Sequence, residues 1–399
     1  MGKRWLFLFL VIPLIGAAVL GAERSAKMFK AAREALVTMS SHSKDRERAA
    51  EAAAERFLAG GRLLASGSIP LFDVEWTNRS GGLMPAAALK APDSLSGSDV
   101  LVYGCRPGAE GDDALKLAQA RAKGTLVIAL GTTRQAGRLR PASDFFLAAD
   151  VPDGTPLPDQ IAAGLDVAYL WAFTGDLIAA CTRAGRMPTM WQSIKVPGST
   201  ERNRRYRPLR FHDDLPVKPV KPGVLGNQYL TGLIRSLDAL AAENTAIQAA
   251  GRLLREAAEA GHTVFHANLG HFEPARLLPE GFPIRVVTLP AKSPEDELRK
   301  SGTAGDALFI IWYHEMPAAL LAAARDKGIP SVCVAAQNPF SPLDTSLADV
   351  YIDPKWVVGD ATAEVPGYEI KILPPSAVLN ALVFYAVIDE AIPSAHFSL

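Results

Sequence analysis

Two stretches of this chain carry residues whose types and spacing suit acid–base chemistry. In the first, Gly60 to Leu83, an apolar run (Leu63, Leu64, Ala65) ends in Ser66-Gly67-Ser68. A segment of helical spacing follows with Glu75 and Arg79, then Ser80-Gly81-Gly82. In the second, an apolar run ends in Asn268-Leu269-Gly270-His271 with Glu273 close behind, and a further apolar run ends in His314-Glu315. A carboxylate and an imidazole held at one crevice can take a proton from a bound molecule and return it. Gly67 and Ser68 stand where a strand turns into a helix. Unpaired backbone N–H groups there favour an anion or a sugar hydroxyl. Plainer readings stand beside these. Glu75 and Arg79 have the spacing of a helical ion pair, His271 fits a helix cap, and His266 fits the end of a buried strand. His314 and Glu315 lack the third ligand that a metal needs, so neither a metal nor a cofactor is expected. Trp76, Trp171 and Trp312 can stack on a sugar ring, although Trp171, spaced with Tyr169 and Phe173, reads as packing.

The elements that must position these residues occur twice. Ala59-Gly60-Gly61 with R-L-L-A-S-G-S matches Ala260-Gly261-His262 with T-V-F-H-A-N-L-G-H. Ser98 to Gly104 matches Gly305 to Ile311. Lys123-Gly124 matches Lys327-Gly328, and Ser143-Asp144 matches Ala348-Asp349. Each unit closes with an apolar helix, Asp159 to Ala180 and Ser376 to Ile392. Ordered matches at a near-constant offset indicate a duplication, predicting that Gly67 superposes on Gly270 and Asp144 on Asp349. Continuous apolar runs separated by helical patterns imply parallel strands covered on both faces. The fold class expected is α/β, with two tandem doubly wound, flavodoxin-like parallel sheets and helices on both faces. A helix from about Glu23 to Leu58 should precede unit one, and helices from about Asn227 to Ala260 should precede unit two.

Composition bounds the class. The chain has 399 residues, 49% hydrophobic and 21% charged, with a formal net charge of +0. That suits two globular domains and provides no global field for nucleic acid. Cys105, Cys181 and Cys333 are odd in number and far apart, which speaks against a disulfide framework or a cysteine zinc site. Lys3 and Arg4 followed by an apolar run to Ala22 form the layout of a signal peptide or an uncleaved anchor. Export, periplasmic or secreted, is therefore expected, with membrane contact only through this segment. The domains expected are 1–22 (signal or anchor), 23–190, a Pro- and Arg-rich linker at 191–226, and 227–399. The linker arginines (Arg202, Arg204, Arg205, Arg207, Arg210) read as a solvated run.

With these features in place, the body resembles tandem sugar isomerase (SIS) domains. The resemblance rests on the small-residue turn after strand one, the D-V-L-V strand with its turn and helix, and the K-G-x-x-V-I-A-L strand. Glu75-x-x-x-Arg79-x-Gly81-Gly82-Leu83 is similar to the E-x-x-x-R-A-G-G-L stretch of bacterial single-SIS proteins. The resemblance implies a site for a sugar derivative at the turns after strands one and two of each unit. Those turns offer Gly67, Ser68, Arg79 and Arg106 in unit one and Asn268, Gly270, His314 and Glu315 in unit two as ligand contacts. It also implies Glu75 and His271 as the acid–base pair of an aldose–ketose isomerisation. The hydroxyl-rich phosphate turn is replaced here by Gly104-Cys105-Arg106-Pro107-Gly108, where Arg106 supplies charge instead. Two functions follow: an exported protein that binds a sugar or sugar derivative without turnover, or a (phospho)sugar isomerase with its site between the units. A homodimer is compatible with either.

Overall fold

The computed structural model describes residues 11–393. Two helices, α1 (Val11–Ser41) and α2 (Lys44–Leu58), lead into unit one. That unit runs β1 (Leu63–Gly67), α3 (Phe72–Trp76), β2 (Ala86–Ala88), β3 (Val100–Gly104), α4 (Glu110–Ala122), β4 (Leu126–Gly131), α5 (Ala136–Ala142), β5 (Phe145–Ala148) and α6 (Pro158–Arg183). The connection holds the short helix α7 (Ser199–Tyr206). Unit two opens with α8 (Val224–Leu240) and α9 (Asn244–Glu259). It continues β6 (Val264–Asn268), β7 (Val286–Thr288), α10 (Pro294–Ser301), β8 (Ala307–Ile311), α11 (Ala318–Asp326), β9 (Ser331–Val334), β10 (Val350–Ile352) and α12 (Ser376–Ala391). Each unit contains one five-stranded sheet, in the orders β2-β1-β3-β4-β5 and β7-β6-β8-β9-β10, and every pairing is parallel. The expected pair of doubly wound sheets is therefore present.

Register makes the duplication quantitative. Leu63 pairs with Val100 in unit one as Val264 pairs with Ala307 in unit two. Counting along the strands puts Gly67 at the position of Asn268, not Gly270, which corrects the expected superposition by two residues. Asp144 and Asp349 do correspond. Asp144 accepts from Val127 N at 2.8 Å and Asp349 from Ser331 N at 2.7 Å, each tying the start of the last strand to its neighbour. Asp99 and Asp306 repeat a second device. Asp99 takes the backbone N–H groups of Arg62 and Ser96, and Asp306 takes those of Thr263 and Thr303. Carboxylates at these strand starts satisfy amides that would otherwise be stranded at the sheet edge.

The first helix preceding each unit packs across on the other unit, while α2 and α9 pack on their own units. α1 lies against α12, α9 and α8, while α8 lies against α6 of unit one. Arg24 Nε donates to Asp389 Oδ2 at 2.9 Å, and the Ser25 hydroxyl donates to Asn244 Oδ1 at 2.7 Å. Buried Arg46 bridges Asp176 of α6 at 2.7 Å and Asn227 of α8 at 2.9 Å. α8 crosses α6 so closely that a side-chain carbon at Gly226 would meet Ala172 O at 2.6 Å. Among the described residues, α6 alone is long and apolar enough to cross a membrane, and its stretch from Ile161 to Thr182 is buried in the core.

Three expectations change, and a fourth, the targeting segment, is only partly described. Residues 1–10 of the targeting segment lie outside the described residues, and Val11 to Ala22 continue into the helix that ends at Ser41. The expected helix from Glu23 to Leu58 is two helices, broken by a turn at His42-Ser43. α3 has five residues, because Thr77 is extended and Asn78 takes a φ of 52°, so Arg79 stands in the loop beyond it. Of the linker arginines, Arg204, Arg205 and Arg207 are exposed as expected, whereas Arg202 and Arg210 are engaged. Arg202 bonds Met190 O, Tyr368 and Glu369, and Arg210 bonds the carbonyls of Phe57, Gly60 and Gly61.

Candidate functional site

Open α/β sheets bind ligands beyond their strand C-termini, where the chain order reverses. Here that reversal lies between β1 and β3 and between β6 and β8. In unit one the turn residues are occupied by one another. A side chain at Gly67 would sit 2.5 Å from Gly104 O, and one at Gly104 would strike the Phe72 ring. Gly67 therefore permits the close approach of β1 and β3. Ser68 Oγ donates to Asp113 Oδ2 at 2.6 Å and accepts from Arg106 N at 2.7 Å. Tyr103 OH donates to the other Asp113 oxygen at 2.8 Å. The Ser68 hydroxyl thus serves the turn itself. The Arg106 guanidinium is partly exposed and has no hydrogen-bond or ion-pair partner among the described residues.

Glu75 and Arg79 belong to a different place, the buried junction between the units. Arg79 Nε lies 3.2 Å from Glu75 Oε1, and its Nη2 lies 2.9 Å from Asp360 Oδ2 of unit two and bonds Ser376 Oγ at the start of α12. Asp360 in turn accepts from Ser376 N at 3.1 Å and from Tyr313 OH at 3.4 Å. Trp171 of α6 donates its indole N–H to Glu75 Oε1 at 3.0 Å, so it both packs and orients. Arg79 is 3% exposed and doubly paired, which makes it a cross-link between units and removes it from the set of ligand contacts. Glu75 is fully buried, and its Oε2 has no partner. Burial pushes the Glu75 carboxyl up, against the opposing pull of Arg79 and Trp171. His271 reaches across from unit two to the Val74 carbonyl, one residue from Glu75. Burial and the Arg79 charge lower its pKa to about 4, so the ring is neutral. The structure therefore brings Glu75, Arg79 and His271 to one region and separates them from Ser68 and Arg106.

Unit two is built differently at its strand ends. Asn268 Oδ1 accepts from Gly270 N at 2.8 Å, and its amide donates to Phe272 O at 2.8 Å, bracing the turn that carries His271. Behind it His266 Nδ1 donates to Phe309 O at 2.9 Å, while Nε2 faces Glu273 Oε1 at 3.1 Å. A carbonyl only accepts, so Nδ1 donates to it. The His266 contact pulls Glu273 below the usual carboxylate range, against burial. His314 is 2% exposed, and its Nδ1 lies 3.2 Å from Ala336 O, which leaves Nε2 without a partner. Glu315 is exposed and pairs with Lys195 of the connecting segment at 2.8 Å.

Three residues essential to this arrangement escaped the sequence reading. Asp360 and Asp113 have partners 281 and 45 positions away, counting 360 − 79 and 113 − 68 along the chain. No spacing rule reaches that far. Asp166, on the apolar helix α6, is fully buried with both carboxylate oxygens unpartnered, and an acid within an apolar run was the available signal. Open grooves occur elsewhere. One of ≈ 660 Å³ is lined by Glu47, Asn227, Arg235 and Lys371, and one of ≈ 510 Å³ by Trp191, Ile194 and Arg207. Neither is lined by a candidate catalytic or ligand-contact residue.

Solved structures align over 92–93% of this chain. The chain has the tandem SIS fold. A candidate sugar binding protein from Salmonella typhimurium LT2 aligns over 92% of this chain and 98% of its own, at 14% identity and a TM-score of 0.54. The C-terminal domain of glucosamine-fructose-6-phosphate aminotransferase from Francisella tularensis aligns over 93% and 96%, at 9% identity and a TM-score of 0.54. A candidate phosphosugar isomerase from Clostridium difficile 630 aligns over 92% and 93%, at 9% identity and a TM-score of 0.51. At these identities the tandem SIS likeness concerns fold alone. No protein-family model matches the chain, and no curated protein matches it in sequence.

Proposed function

We propose that this protein binds a sugar or sugar derivative at the strand ends of unit one and does not turn it over. The state of Glu75 carries the reading. The only carboxylate beside His271 in the expected acid–base pair is fully buried, with one oxygen held by both Arg79 and Trp171. A general base must reach the proton that it abstracts, and this one is fixed within an inter-unit cross-link. The neighbours of the tandem SIS fold include a candidate sugar binding protein, which supports the ligand class. The apolar N-terminal run behind Lys3 and Arg4 supports export or anchoring. Fractionation with protease protection tests that part, and an intact, soluble cytoplasmic chain would refute it.

A second reading has its own observation. Glu75 Oε2 is unpartnered, its carboxyl is raised by burial, and His271 stands at the same junction, as an isomerase between the units would need. Thermal-shift and isomerisation assays on one panel of sugars and sugar phosphates separate the two. Stabilisation without turnover supports binding alone. Turnover that disappears in Glu75→Gln selects the isomerase.

A further inference from the structure

The segment that connects the units forms a groove of its own. Its volume is ≈ 510 Å³, within the range of small-molecule sites, and Trp191, Ile194, Thr200, Asn203, Arg204 and Arg207 line it. The last four stand at i, i+3, i+4 and i+7, which is one face of a helix. Arg207 follows α7 and keeps helical dihedrals (φ −51°, ψ −40°), so that face continues through it. The walls are tied together. Asn203 Oδ1 accepts from Gln192 N at 2.9 Å, and its amide donates to Gln192 O at 2.8 Å. Trp191 N donates to Gly82 O and Trp191 O accepts from Gly81 N, each at 2.8 Å. The groove is therefore formed in the free protein, anchored to the loop that carries Arg79.

Its chemistry is one-sided. Trp191 is partly exposed, yet its indole Nε1 is screened from solvent and its backbone N–H and carbonyl are paired. Ring carbon is therefore what Trp191 presents. Ile194, in the same wall, is 75% exposed. Arg207 is exposed, and its guanidinium has no hydrogen-bond or ion-pair partner among the described residues. Arg204 pairs with Glu201 one turn back on α7, an exposed contact that an incoming anion can displace. The other arginines of the run are committed elsewhere: Arg202 to Tyr368 and Glu369, Arg205 to Asp214, Arg210 to backbone carbonyls. Among the described residues no acid lines this groove. The groove of ≈ 660 Å³ differs: it sets Glu47 and Glu364 against Arg235 and Lys371, and Lys371 already pairs with Glu364 at 2.9 Å. Of the two, the smaller leaves its positive charge uncompensated.

We propose that this groove is a second binding site, for a small molecule that joins a ring to a carboxylate or phosphate. The ring would lie on Trp191 and against Ile194, burying apolar faces on both sides. The anion would take Arg207 and draw Arg204 away from Glu201. Guanidinium groups one helical turn apart bracket a single anionic group through charged hydrogen bonds. The C–H face of a pyranose and a planar base both meet the first demand, so a uronate, a sugar phosphate and a nucleoside monophosphate share this chemistry. The site is separate from the strand ends of unit one and does not depend on what binds there.

Calorimetry on the full chain tests this with glucuronate, glucose 6-phosphate and uridine monophosphate, beside glucose, uridine and inorganic phosphate. At least one ring-bearing anion should bind roughly tenfold tighter or more than both its neutral parent and inorganic phosphate. Which one does so identifies the source of ring and anion. Arg207→Ala should weaken that binding by roughly tenfold or more, and Arg204→Ala by less, since Glu201 already shares Arg204. Ile194→Glu should abolish it by setting like charge against the anion. All three positions are exposed, so the variants should keep the parent's melting temperature. Equal binding of the neutral parents, equally tight binding of inorganic phosphate, or no binding of any anion would overturn the proposal. So would anion binding that survives Arg207→Ala and Ile194→Glu but is lost in Arg106→Ala. That result would put the anion at the strand ends of unit one and leave the sugar-binding reading in place.

Discussion

The starts of the strands in the two units are held by the same devices, whereas their ends are not. Asp99 and Asp306 take equivalent backbone amides, and so do Asp144 and Asp349. At the other edge unit one places Gly67, Ser68 and a run of carboxylates, and unit two places Asn268, Trp312 and a buried His314. Strand starts have one task, satisfying amides at the sheet edge, and both copies perform it identically. Strand ends face the crevice, and there the copies have taken different chemistry. The junction between them adds a third kind of site, in which unit one's Arg79 is clamped by unit two's Asp360.

The largest expected effect would break that clamp. Arg79→Met leaves Asp360 and Glu75 buried without their cation, and should cost about 3–5 kcal/mol in denaturant unfolding. Arg276→Met, in the exposed turn after β6, should change stability by less than about 0.5 kcal/mol. Similar losses in both would mean that the junction is no special cross-link.

Next in size is a pH effect at the same junction. The His271 pKa falls from 6.5 in the open chain to about 4 in the fold. Between these values the unfolded chain binds more protons. The stabilisation is therefore complete above about pH 6.5 and is lost as pH falls toward 4, by up to roughly 3 kcal/mol. Unfolding curves at pH 7 and pH 5 should show a smaller acid loss in His271→Gln than in the parent. Parallel losses would remove His271 from the buried junction.

A sharper contrast lies at the corresponding ends of β1 and β6. Gly67→Ala forces carbon against the Gly104 carbonyl and should destabilise by about 1–3 kcal/mol. Unit two already carries a side chain there, Asn268, so Asn268→Ala should cost only its turn bonds, about 1 kcal/mol. The smallest effect tests likeness instead. Asp144→Ala and Asp349→Ala, both exposed, should each cost about 1 kcal/mol, and a marked inequality would argue against a shared strand-start device.

What was legible in the sequence follows the same division. Continuous apolar runs such as Leu126 to Gly131 can only be strands buried on both faces, and their ordered repetition gave the two sheets. Asp144 and Asp349 were found because they hold a fixed offset from a strand. The crevice chemistry was not legible. Ser68 looks like a ligand donor until Asp113, a helix away, takes its hydroxyl. Arg79 looks like a helical partner of Glu75; it does pair with Glu75, from the loop beyond α3, but Asp360 decides its role from the other unit. Gly67 was recognised as a close approach, though the neighbour approaching it is the chain itself.

The central claim is binding without turnover, and proton NMR in deuterated water tests it most directly. Aldose–ketose isomerisation moves the proton on carbon 2 through a base, so turnover exchanges it with solvent. The account predicts saturation transfer from the protein to an aldohexose or aldohexose phosphate of the panel whose carbon-2 proton persists through prolonged incubation. Loss of that proton signal with the parent protein, and its retention with Glu75→Gln, would contradict the account and make the junction an active site.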